Sequence, residues 1–223
     1  MIPVYIGYDP RQPIAAQVLA HSISVRSTKP VAITRLQLSQ LPITRRGLTE
    51  FTYSRFLVPW LCDYQGFAIF IDSDFLCLGD ITDLLGIAML DDLTTAQKPA
   101  VWVSKNRLRY EWPSLMIFNN NLCRTLTPEY VQDSPQLFDL AWAAEVADLP
   151  REWNHLVGYD APNPQAKMVH FTQGIPCWPE TQDCEFSAEW KMVAKNAQST
   201  VSWETLMGAS VHAKPVRERL AKV

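Results

Sequence analysis

The chain has 223 residues, 48% of them hydrophobic, which is enough apolar side chain for a sizeable core and a length that forces no second domain. A formal net charge of −3 excludes the broad basic surface of a nucleic-acid binder. Cys62, Cys77, Cys123, Cys177 and Cys184 are odd in number and lack zinc-type spacing, which argues against a disulfide framework and for reduced thiols in a cytoplasmic protein.

Ile2 to Gly7 reads as a buried strand, and Gly7-Tyr8-Asp9-Pro10 as the turn that ends it. Asp9 and Arg11 follow this first apolar run at once, and no uninterrupted apolar stretch approaches the length of a membrane span, so a soluble, unprocessed chain is expected. From Pro13, a good first-turn residue, Ile14, Val18, Leu19 and Ile23 recur at helical spacing, and Val31 to Leu36 forms a second strand. A polar loop carries Arg45 and Arg46. Thr52 to Leu61 reads as helical despite Pro59 and leads into an apolar strand, Phe67 to Ile71. Asp80 to Leu85 reads as a short capped helix, while Ala100 to Ser104 and Leu115 to Phe118 read as strands. This alternation describes an α/β sheet. Beyond it, Pro150, Trp153, Pro162, Pro164, Pro176, Trp178 and Pro179 crowd a region expected to be largely irregular, with one short strand at Met168 to Phe171. Ala188 to Asn196 and Val201 to Met207 are expected as closing helices. Lys214, Arg217, Arg219 and Lys222 make the last residues basic, suited at most to a loose contact with an anionic membrane surface.

The chemistry concentrates where the strand Phe67 to Ile71 runs into Asp72-Ser73-Asp74. Alternation along a strand puts Asp72 and Asp74 on one side, where two like charges repel unless a cation sits between them. Oxygen ligands at the mouth of an α/β sheet suit Mn²⁺ or Mg²⁺ and a ligand's diphosphate. A blander role, capping the next turn, also suits aspartate. His170, at a strand end, would add a nitrogen ligand, and Gly174 after it would let backbone approach phosphate oxygens.

Six blocks in order resemble a known family: Val4 to Arg11, Phe51 to Pro59, Asp72-Ser73-Asp74, Trp112 to Asn119, Leu149 to Asn154, and Val169 to Thr172. Together they resemble short bacterial and viral glycosyltransferases of GT-A fold, related to glycosyltransferase family 8. The resemblance runs from the first strand to about Trp190. It implies one GT-A domain over residues 1–223 with a mostly parallel central sheet, residues 1–119 serving nucleotide and metal and 120–223 the acceptor. It further implies a metal-dependent enzyme that moves a sugar, with retention in the family's manner, from a nucleotide-diphosphate donor, most often a UDP-sugar. The acceptor would be a hydroxyl of a glycan or glycoprotein.

On this chain the implied metal ligands are Asp72, Asp74 and His170, with Ser73 between the aspartates. Tyr8, Asp9 and Arg11 match the turn that meets the nucleotide base, where a ring stacks and a carboxylate accepts an N–H. Arg55 matches an arginine that bonds either an aspartate or the nucleotide, and Lys105 is a candidate to neutralise diphosphate. Sugar and acceptor recognition falls to Trp112, Ser114, Glu145, Trp153, Asn154 and His155, with Glu145 and Asn154 as candidate catalytic groups beside the aspartates.

The family's His-x-x-Gly-x-x-Lys-Pro-Trp departs here, since Gly174 comes one residue late and Cys177 precedes Trp178 with no lysine. The metal, a loop N–H or Lys105 is left to steady the leaving phosphate. The segment between Lys105 and Trp112 is also shorter than in the close relatives. Competing readings are an HAD-like phosphatase, which would carry the aspartates on its first strand, and a sugar-nucleotide pyrophosphorylase, which would open on a Gly-rich loop. A non-catalytic carbohydrate-binding domain is the third.

Overall fold

The computed structural model describes residues 1–104 and 112–198. The first strand β1 (Ile2–Gly7), helix α1 (Pro13–Arg26) and strand β2 (Val31–Leu36) stand where the hydrophobic pattern puts them. The helix expected over Thr52 to Leu61 is instead a 3₁₀ turn, Ser54–Leu57, followed by the short helix α2 (Val58–Leu61). Pro59 lies in the first turn of α2, where its missing N–H costs no hydrogen bond. Strand β3 (Phe67–Ile71) follows, then β4 (Phe75–Cys77).

Helix α3 (Ile81–Thr94) is capped by Asp80 as expected but runs well past Leu85. Leu84 and Ala88 continue its buried stripe, and Asp91 accepts a 2.8 Å bond from Trp102 Nε1, which anchors its last turns to the sheet. Strands β5 (Val101–Val103) and β6 (Leu115–Asn119) and helix α4 (Pro128–Asp133) come next. The region expected to be irregular holds three strands, β7 (Val146–Asp148), β8 (His155–Leu156) and β9 (Met168–His170), before helix α5 (Ser187–Gln198). The first two are too short to show periodicity, and they exist because a neighbouring strand edge pairs with them. The helix expected at Val201 to Met207 and the basic residues from Lys214 onward lie outside the described residues.

The main sheet has the order β2-β1-β3-β6-β5-β7, and a second sheet has the order β4-β9-β8. In the main sheet three of the five pairings are parallel and two, on either side of β6, are antiparallel. Helices α1 and α3 cover one face of it, with Ile69, Ile71, Trp102 and Ile117 packed on Leu19, Ile23, Leu84 and Ala88. Phe70, Val103, Met116 and Phe118 fill the other face with Phe56, Leu57 and Trp142. The second sheet packs its outer side, Leu76 and Val169, against Val18 of α1 and Trp190 of α5. Ser22 on α1 accepts the Cys77 N–H at 3.1 Å and donates to the Leu19 carbonyl, which pins β4 to the helix. Among the described residues no helix is long and apolar enough to cross a membrane.

All five cysteines are free thiols. Burial pushes Cys77 and Cys123 up to about 12, so neither is an active nucleophile at neutral pH.

Candidate metal centre and donor site

The ends of β1 and β3 leave the main sheet at one edge, since Ile6 pairs with Ile71. Gly7 is required there. A Cβ on it would stand 2.5 Å from the Phe51 ring, so any side chain would displace the loop that carries Arg55.

The strand stops at Ile71, and Asp72 to Asp74 form a turn into the second sheet. The two carboxylates therefore converge through the turn and not through strand alternation, a correction to the sequence reading. Asp72 keeps one link to the main sheet, donating its N–H to the Ser114 carbonyl at 2.8 Å. Asp74 belongs to the second sheet, its carbonyl accepting the Phe171 N–H at 2.9 Å. The register pairs Phe75 with His170, which brings the imidazole beside the turn. One ligand atom from each of Asp72, Asp74 and His170 lies within 4.8 Å of the other two.

Arg55 braces the centre from below. It is only 5% exposed, places Nη2 3.0 Å from Asp72 Oδ1, and donates Nη1 to Asp72 Oδ2 at 3.3 Å and to the Pro113 carbonyl at 2.5 Å. Burial pushes the Asp72 carboxyl up to about 7; the Arg55 guanidinium opposes this and the Asp74 charge adds to it. Asp72 Oδ1 and Asp74 Oδ1 are both buried and accept no hydrogen bond from a described residue, although an ion pair reaches the first. His170 is buried, stacks on Phe75 at 4.2 Å and 16°, and lies 3.1 Å through Nδ1 from Asn154 Oδ1. Its Nε2 faces Asp74 Oδ1 at 3.5 Å. Two under-bonded carboxylate oxygens and one imidazole nitrogen form a mixed donor set that fits a divalent cation of the Mn²⁺ or Mg²⁺ type.

The other sequence candidates divide. Tyr8 and Asp9 leave β1 at the same edge, Tyr8 lying 5.9 Å from the Arg35 guanidinium. Asp9 is buried and gripped by Arg11, through Nε at 2.9 Å and Nη2 at 2.5 Å, and these hydrogen bonds hold its carboxyl below the usual range. Arg11 also donates to the Leu48 carbonyl, which closes the turn. Ser73 is buried in the aspartate turn, and Gly174 occupies a left-handed conformation, φ +117, in the turn after β9.

Four acceptor-side candidates take the following places. Trp153 is fully buried among Ile71, Leu115 and Met168, so its ring is core and offers no face to a sugar. Asn154 is also fully buried, and it bonds His170 and, at 3.4 Å, Ser114 Oγ. His155 points away from His170 because it pairs with Val169, one residue out of phase, and its Nε2 meets Glu185 at 2.8 Å. Glu145 stands at the opposite edge of the sheet. Its carbonyl takes the Ala100 N–H, the Ala100 carbonyl takes the Asn119 N–H, and Asn119 pairs with Phe67 at the start of β3. Lys105 and the side chain of Trp112 lie outside the described residues. The Pro113 carbonyl and Phe75, which orient Arg55 and His170, gave no signal as site residues in the sequence.

No protein-family model matches the sequence. Among solved structures, the chain superposes on the WbbM bifunctional glycosyltransferase with a TM-score of 0.63 at 15% identity, covering 92% of this chain and 51% of that one. The chain thus spans about half the length of WbbM. The galactosyltransferase LgtC, solved with donor and acceptor sugar analogues, gives a TM-score of 0.58 at 11% identity, covering 93% of this chain and 99% of that one. GlyE of Streptococcus pneumoniae TIGR4 gives 0.59 at 14% identity, covering 93% and 63%. Such likenesses establish a shared fold, that of the GT-A glycosyltransferases. Protein CDI of Arabidopsis thaliana is 36% identical, the match covering 84% of this chain and 83% of the plant protein. The chain belongs to the family of Protein CDI and has the fold of the GT-A glycosyltransferases.

Proposed function

We propose that the protein is a divalent-metal-dependent glycosyltransferase that moves a sugar from a nucleotide-diphosphate donor, a UDP-sugar, to a hydroxyl of a glycan or glycoprotein. The observation that carries this reading is the Asp72, Asp74 and His170 cluster at an end of a GT-A sheet, with two buried carboxylate oxygens that accept no hydrogen bond from a described residue. When bound, a divalent ion supplies Lewis-acid stabilisation of the departing diphosphate.

The chain's own residues do the rest. Asp72, Asp74 and His170 supply two oxygens and a nitrogen. Arg55 fixes the Asp72 carboxylate through Nη1 and Nη2 and is itself held by the Pro113 carbonyl. Tyr8 offers an aromatic face for the nucleotide base, and Asp9, held ionised by Arg11, offers an acceptor for a base N–H. The acceptor hydroxyl attacks the anomeric carbon as the bond to the diphosphate oxygen breaks, and the departing nucleoside diphosphate takes the electron pair and the hydroxyl proton. Same-face attack retains the anomeric configuration, and an NMR spectrum of the product showing inversion would reject that part.

The deciding experiment is a thermal-shift panel of UDP, GDP, CDP and their sugars with and without Mn²⁺. One nucleotide should stabilise selectively and only with metal, by about 2.7 kcal/mol at about a hundred times its Kd. Asp74→Ala should abolish that shift. No nucleotide response with or without metal would sink the transferase reading.

A further inference from the structure

We propose that Asn154 is a positioning residue that fixes His170 as the Nδ1–H tautomer and so presents an unprotonated Nε2 to Asp72 and Asp74. The inference deepens the metal reading above and rests on it for its purpose. Asn154 is fully buried, and a buried amide is costly unless its oxygen and nitrogen are both bonded. Its Oδ1 lies 3.1 Å from His170 Nδ1 and can only accept there, while its Nδ2 donates to Ser114 Oγ at 3.4 Å.

The alternative orientation of the amide would reverse the site. An Nδ2 beside Nδ1 would donate, the ring proton would move to Nε2, and that N–H would point at Asp74 Oδ1, 3.5 Å away. The imidazole would then offer no lone pair to a cation. Stacking on Phe75 at 4.2 Å and 16° holds the plane of the ring. Ser114 completes the link, because its carbonyl accepts the Asp72 N–H at 2.8 Å. One amide therefore joins the segment bearing His170 to the segment bearing Asp72, across two sheets. A burial this complete also removes Asn154 from contact with an acceptor sugar.

The test is long-range ¹H–¹⁵N NMR of the metal-free full chain in mildly alkaline buffer, with the His170 signals assigned by their loss in His170→Gln. The wild type should show the proton on Nδ1. Asn154→Leu, close in volume, should populate the Nε2–H form and weaken Mn²⁺ binding by about 10- to 100-fold in titration calorimetry. Asn154→Asp, which keeps the acceptor, should retain the Nδ1–H form. A wild-type ring protonated on Nε2, or an unchanged tautomer in Asn154→Leu, overturns the proposal. Should Asn154→Leu not fold, the wild-type spectrum decides alone. A wild type that binds no Mn²⁺ yet shows the Nδ1–H form would defeat the metal reading and leave the positioning role standing.

Discussion

At the residue scale the centre is a balance of charges. Arg55 is nearly buried against Asp72, and the pair sits over the Phe70 ring, with the guanidinium carbon 5.0 Å from its centroid. Removing one partner of such a pair leaves the other charge buried and unmatched. Arg55→Met should cost about 3–5 kcal/mol in urea unfolding of the metal-free protein. Mn²⁺ should recover more thermal stability in that variant than in the wild type, since Asp72 then lacks the Arg55 guanidinium.

Asp72 also sets a pH dependence. Its carboxyl is raised in the fold, so it binds a proton more tightly folded than unfolded. That contribution is fully present below the ordinary carboxyl value of 3.8 and is lost as pH rises through about 7. In chelator, the melting temperature of the wild type should therefore fall between these limits relative to Asp72→Asn, and a flat difference would contradict the assigned environment. The Asp72-Ser73-Asp74 spacing was legible as a charge pair in the sequence. That the pair converges through a turn, with Asp74 committed to a different sheet, was not, because a local pattern does not say where a strand ends once apolar residues resume at Phe75.

At the element scale, the well-read segments are those whose apolar residues repeat long enough to set a period. β1, α1 and β3 fall into this group, and each buries a continuous stripe. Helix α3 shows how far a cap alone informs. Asp80 Oδ1 accepts the Thr82 N–H at 2.8 Å, and Oδ2 accepts the N–H and hydroxyl of Thr28 in the turn after α1. One carboxylate thus starts the helix and ties it to the chain between α1 and β2. Asp80→Ala should lose about 1–2 kcal/mol by urea denaturation, while Asp80→Asn should lose less. The far end of α3 depends on Asp91 meeting Trp102 and Asp92 meeting Asn119, contacts from strands that follow it in sequence. No local signal marks them.

At the scale of the whole molecule, the candidate centre lies where two sheets meet, and the core beneath it belongs to both. Trp153 packs with Ile71 and Leu115 of the main sheet and with Phe75, Cys77 and Met168 of the second. Trp153→Ala should therefore act on global stability, by about 3–5 kcal/mol, and lower the calorimetric melting temperature in the absence of any ligand. A variant with wild-type stability and only a raised KM for sugar would contradict its place in the core. Strands from beyond residue 120 enter both sheets, β7 beside β5 and β9 beside β4, so the centre draws on distant parts of the chain.

By itself the sequence determined the α/β class, most strands of the main sheet, and Asp72, Asp74 and His170 as a candidate cluster, because side-chain periodicity and charge spacing are local properties of a chain. Tertiary structure alone decided which of the remaining candidates belong together. The pairing of β4 with β9 sets His170 beside the aspartates, and one residue of register separates it from His155, which faces Glu185 instead. Glu145 lies away from the centre, just before β7 at the other end of the strands, and Trp153 lies in the core beneath it. Register between short strands far apart in sequence is selected by what the whole core can bury, and no window of residues contains that information.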